Sequence, residues 1–135
     1  MSLTPSTRVQ TVNGITPEQT ASIRAFLQGA VYTWCKHRGE NWFAARDLVG
    51  GDDFDWQGTP LIALYDKYAA GGRADAVERA GIDLGWLLKG VLADDRRAFE
   101  EGRAGMVKVY RWVRALAGGE APDVEPVAAP DGGAR

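Results

Sequence analysis

The stretch "ERAGIDLGWLLKGVLADDRRAFEEGRAGMVKVYRWVR", residues 78–114, carries most of the information about the fold. Leu84, Leu87, Leu88, Val91 and Leu92 recur at helical spacing, so they predict a helix with one apolar face, and Asp83 stands where an N-cap would start it. The opposite face holds Gly85, Trp86, Lys89, Gly90 and Ala93. Before it, "RADAVERAG" predicts a two-turn helix, so that "ID" becomes a tight turn between two helices. Beyond Asp94 and Asp95, "RRAFEE", "GRAG" and "MVKVYRWV" read as strand, turn and strand, because Val107, Val109, Tyr110, Trp112 and Val113 are β-formers beside a glycine-bounded turn. Met106, Val109, Tyr110, Val113 and Leu116 also fit a helical period, which leaves an all-α bundle as the alternative.

Working outward, "TPEQ" supplies Thr16 as N-cap, Pro17 at the first helical position and Gln19 to close a capping box. Ile23, Phe26, Leu27, Ala30, Val31, Trp34 and Cys35 then follow on one stripe, and Gly39 ends a helix expected over residues 17–38. In "NWFAARDLVGG", Trp42 and Phe43 read as a very short extended piece and Ala44 to Val49 as one or two helical turns. "DDFDWQG" reads as a loop whose Phe54 and Trp56 fold back onto the core. "TPLIALYDKYAAGG" repeats the start signal with Thr59 and Pro60, and predicts a helix over 60–70 stopped by Gly71 and Gly72. The class expected is mainly α with a small β-hairpin, in one domain over residues 15–117. Residues 1–14 and the Gly/Pro/Ala-rich acidic segment 118–135 have compositions that predict loose attachment and disorder.

In this order, residues 74–113 resemble the winged helix-turn-helix superfamily. "ADAVERAG", "ID", "LGWLLKGVL" and the hairpin stand for helix, turn, second helix and wing. The helix from Thr16 stands for the usual first helix, "WF" for the small third strand on the wing, and the 60–70 helix for an insertion. The resemblance implies DNA binding, with the second helix in the major groove and the wing on the backbone or minor groove. It equally allows a protein-binding or dimerisation module on the same scaffold.

Charge segregates along the chain. Residues 40–66 hold six acids against Arg46, residues 96–114 hold six bases against Glu100 and Glu101, and residues 118–135 hold four acids against Arg135. A basic hairpin is therefore expected, with Arg96, Arg97, Arg103, Lys108 and Arg111 available for phosphates and Lys89 with Trp86 at the groove-facing helix. One lysine is poor equipment for reading bases, so weak or nonspecific DNA contact is the expectation, with a role in regulation. The competing expectation is a protein partner, or a homodimer, held through Gly85, Trp86, Lys89 and Ala93.

Catalysis has little raw material. Cys35 and His37 lie two apart on one helix, turned about 200° from each other, so they form no nucleophile–base pair. Asp53, Asp55 and Gln57 before Gly58 imitate the start of a calcium loop, but Leu64 stands where the bidentate glutamate belongs. Asp47, Asp52, Asp53 and Asp55 are the carboxylates left open to acid–base use. The expectation is a non-enzymatic protein without metal or cofactor. A single cysteine, an N-terminus without an apolar h-region and no apolar run of about 18 residues predict a reduced, cytoplasmic location away from membranes.

Overall fold

The computed structural model describes residues 9–50 and 55–114. The expectations for residues 1–8, 51–54 and 115–135, which include Phe54, Asp52, Asp53 and the acidic C-terminal segment, concern positions outside the described residues. Four helices and one hairpin follow in the order α1 (Pro17–Arg38), α2 (Ala45–Leu48), α3 (Ile62–Ala70), α4 (Ala76–Asp94), β1 (Phe99–Ala104) and β2 (Val107–Trp112).

Helix α1 forms where its stripe predicts. Thr16 Oγ1 accepts from the Gln19 N–H at 3.0 Å and Gln19 Oε1 accepts from the Thr16 N–H at 2.9 Å, so two otherwise orphaned donors are satisfied. Ile23, Leu27, Val31 and Cys35, one helical turn apart, are its buried line. In α3 the cap works one turn early: Thr59 Oγ1 accepts from the Leu61 N–H at 3.1 Å while its hydroxyl donates to the Trp56 carbonyl at 2.9 Å. The regular helix therefore starts at Ile62 instead of residue 60.

The expected turn at "ID" does not form, and α4 is continuous from Ala76 to Asp94. Its physical cause is visible in the apolar phase: Ala76, Ala80, Leu84, Leu87, Leu88, Val91 and Leu92 stay on one helical period through the supposed break, and all are buried. Asp83 caps nothing. Its carboxylate accepts from the Tyr68 hydroxyl at 2.8 Å and pairs with Lys67 Nζ at 2.7 Å, which ties α4 to α3 instead. The tight connection lies earlier, between α3 and α4, where Gly72 takes φ +75°.

The hairpin is antiparallel, with Phe99 opposite Trp112 and Ala104 opposite Val107, and Gly105 at φ +67° turns the chain. Residues 107–112 are thus strand, and the helical alternative does not hold for them. Phe43 bridges to Tyr110 through two reciprocal backbone hydrogen bonds of 2.8 Å, the short extended contact expected of "WF". One core joins these parts: Phe43, Phe99 and Tyr110 from the hairpin side meet Leu27, Val31, Leu64, Leu88 and Leu92 from the helices. Trp56 is buried in the same core. Residues 9–14, expected to be loose, make contacts: Val12 packs against the core, and Lys67 Nζ donates to the Asn13 carbonyl. No described helix is long and apolar enough to cross a membrane.

Candidate interaction surface

The surface begins with the exposed half of α4. Val77 and Ile82 are exposed, Gly81, Gly85 and Trp86 are half-buried, and a Cβ placed on Gly81 or Gly85 would meet nothing within 4 Å. Beside these two glycines runs a groove of about 300 Å³, floored by Leu84 and Leu88 of α4. Val49 and Trp56 stand on one side, Val107, Lys108 and Tyr110 of β2 on the other, and Arg46 of α2 also borders it. The apolar floor offers burial to a side chain, and two cationic residues at the edge offer an orientation to its charge.

The residues expected to grip phosphate are distributed differently. Lys89 is 5% exposed, inside the protein, with Nζ 3.6 Å from Glu101 Oε1 and 5.6 Å from the centre of the Trp86 ring. The groove-facing role expected for Lys89 is therefore corrected. The helix tilts this position toward the hairpin, and the Glu101 carboxylate offsets the buried ammonium. Glu101 Oε2 also accepts from Lys108 Nζ at 2.7 Å, and Glu101 Oε1 accepts no hydrogen bond among the described residues. Ala93 is buried as well, so the expected docking face of Gly85, Trp86, Lys89 and Ala93 keeps only its first two members near solvent.

Across the hairpin, Arg111 Nε donates to Glu100 Oε1 at 2.8 Å and its guanidinium lies 5.0 Å from the Trp42 ring centre. Trp42 rests on Gly102, where a Cβ would stand 3.1 Å from the indole. Arg97 is held at the base of the hairpin: its side chain donates twice to Asp95, at 2.9 and 3.0 Å, and its N–H donates to the same carboxylate at 2.8 Å. Burial works to raise the Asp95 carboxyl, but the hydrogen bonds from Arg97 and from Gln28 outweigh it and hold it below the usual carboxylate range. Burial likewise opposes charge on Arg97, and its bonds to Asp95 overcome that and raise it. Arg96 and Arg103 are exposed, with Arg103 Nη1 3.5 Å from the Met106 carbonyl at the hairpin turn. Three of the six bases of residues 96–114 are thus paired with carboxylates, Arg97 with Asp95, Lys108 with Glu101 and Arg111 with Glu100.

The remaining chemical candidates separate in space. Cys35 is buried in the core, and burial pushes its thiol up to about 11, against the opposing pull of Arg97. His37 is exposed at the end of α1. Asp47 accepts from the Ala44 N–H at 2.8 Å and so starts α2, while Asp55 accepts from the Gln57 N–H at 3.4 Å. Among the described residues no three of His, Cys, Asp and Glu gather as a metal site would require. The groove and the role of Glu101 went unnoticed in the sequence. The spacing Gly81-x-x-x-Gly85 was the available signal for the first, and for the second the two-residue turn, which puts Glu101 opposite Tyr110 and diagonal to Lys108 on the same face.

Comparison with protein-family models, with curated proteins and with solved structures returned no match to this chain. The functional reading therefore rests on geometry and chemistry.

Proposed function

We propose that this chain is a non-enzymatic binding module of winged-helix type that takes a protein partner on the exposed half of α4 and in the adjoining groove. The scaffold reading is supported by the order of elements: α1, the Phe43 bridge to the last strand, α3, a glycine turn, α4 and a two-stranded hairpin. One observation carries the choice of partner. Among the described residues the glycine-lined apolar groove lies next to exposed Val77 and Ile82, whereas Lys89, Arg97, Lys108 and Arg111, four of the residues expected to meet phosphate, are engaged by carboxylates. Apolar contact with a few oriented charges is the anatomy of a protein interface core.

The test uses the full chain immobilised as bait, with Gly85→Leu to fill the groove and Ile82→Lys to charge its flank. A protein retained by the native chain and lost with both variants, at unchanged melting temperature, is the expected result. If that protein is a second copy of this chain, the module is a homodimer. Retention that both variants leave intact would overturn the reading.

A second reading is favoured by exposed Arg103 next to the hairpin turn: sequence-independent contact of the wing with a nucleic-acid backbone. It predicts duplex binding that weakens as salt rises and falls further with Arg103→Glu. No duplex binding at low salt would remove it.

A further inference from the structure

Beyond the groove, we infer that β1 is an open sheet edge that receives an extended acidic segment of a partner protein as a third strand. The hairpin register dictates which backbone groups are available. Its two-residue turn makes Ala104 and Val107 a hydrogen-bonded pair, and the pattern then alternates, so that Gly102 bonds Val109 and Glu100 bonds Arg111. The 2.9 Å bond from the Val113 N–H to the Ala98 carbonyl, and the outward bonds of Tyr110 to Phe43, obey the same parity. Phe99, Glu101 and Arg103 therefore turn their N–H and C=O groups away from β2. Among the described residues no backbone group bonds to them there. A strand edge in that state is a template for another strand.

The side chains along this edge select the occupant. Arg103 and Ala104 are exposed. The Arg103 guanidinium contacts the Met106 carbonyl at 3.5 Å and, among the described residues, forms no ion pair. On the same face the Glu101 carboxylate stands between two ammonium groups, Lys108 at 2.7 Å and Lys89 at 3.6 Å, so this end of the edge keeps a positive excess although Lys108 is paired. On the other face Trp42, 41% exposed, lies on Gly102. An antiparallel third strand would set three successive residues opposite Arg103, Gly102 and Glu101. A carboxylate suits the first place, and an apolar side chain beside the Trp42 indole suits the second. The third takes an uncharged residue, because a carboxylate directly opposite Glu101 would repel it. A second copy of this chain is the poorer occupant: the register that sets its Arg103 opposite Glu101 adds a third cation around one carboxylate.

The experiment titrates the full chain with the peptide acetyl-Thr-Glu-Val-Thr-Val-amide and follows amide hydrogen exchange by NMR. With peptide about tenfold above its dissociation constant, exchange at Glu101 and Arg103 should slow about tenfold, while Gly102, already bonded within the hairpin, changes little. N-methylation of the peptide's glutamate and second threonine, whose N–H groups face β1, should abolish binding. N-methylation of the intervening valine, whose N–H faces away, should leave it intact. Arg103→Glu should weaken the peptide about fivefold and favour its lysine analogue. Arg103→Pro removes an N–H that the hairpin does not use, so the chain should lose the peptide with the Phe43 to Tyr110 bridge unchanged. Unaltered exchange at Glu101 and Arg103, equal binding of both N-methylated peptides, or protection that grows with chain concentration alone, the mark of a second copy, would each overturn the inference. Loss of the peptide on Gly85→Leu would overturn it too, by moving the site to the groove. A negative result at the edge leaves the capture experiment untouched, so the two readings fail separately.

Discussion

Helix α4 behaves as two different helices joined end to end. From Ala76 to Trp86 only Ala76, Ala80 and Leu84 are buried, and Val77 and Ile82 face outward; from Leu87 to Ala93 seven consecutive residues are buried. The second half is wrapped because α1 and the hairpin close on it. Arg24 lies over Gly90 and reaches Asp94 at 2.6 Å, and Glu101 meets Lys89 from the strand. The first half touches α3 through Asp83 but keeps a flank open beside the groove. A helix so divided is structural at one end and available for contact at the other.

The division predicts a graded set of substitutions. The largest contrast is Leu88→Ala against Ile82→Ala: loss of the fully buried leucine should cost about 2–5 kcal/mol, and loss of the exposed isoleucine about 0.5 kcal/mol or less. Chemical denaturation measures both, and equal losses would erase the two-halves description. Next is Asp95→Asn at the end of α4, which removes the charge that Arg97 and Gln28 are built around. Because the folded carboxyl lies below its unfolded value near 3.9, the stability it confers is complete above that value and lost as pH falls through the lowered one. Melting curves of the variant should therefore start lower at neutral pH and decline less steeply in acid; an unchanged acid slope would assign the acid sensitivity to other groups.

Smaller effects come from the glycines. Gly85→Ala has open space and should stabilise by about 0.5–1 kcal/mol through helix propensity. Gly90→Ala should gain less, since its Cβ would stand 2.7 Å from Arg24 Nη1 and displace that side chain from Asp94. Matching gains at both sites would mean that the wrapped half is looser than its burial indicates.

Much of the architecture was legible before folding. The Thr16 capping box, the Ile23–Cys35 stripe, the Gly71–Gly72 stop and the β-forming run at 107–112 all encode local structure through patterns of a few residues, and each forms where those patterns lie. The helix break at Asp83 failed because a cap signal was weighed above periodicity. An aspartate favours an N-cap only while its carboxylate has no better partner, and Lys67 with Tyr68 on α3 provide one. The partners of the hairpin's cations were likewise not legible. Which cations pair depends on register: Arg111 stands opposite Glu100, and Lys108 reaches Glu101 diagonally on the same face.

By itself, then, the sequence determined α1, the body of α3 and the β-forming run of the hairpin, because apolar period, caps and turn glycines act within one element. Only tertiary structure decided which side of each element remained available. Lys89 became interior because a strand brought Glu101 to it. Gly81 and Gly85 became part of a groove because α2 and β2 stand on either side without filling it. Those outcomes depend on distances between segments far apart in the chain, and no local pattern of residues carries that information.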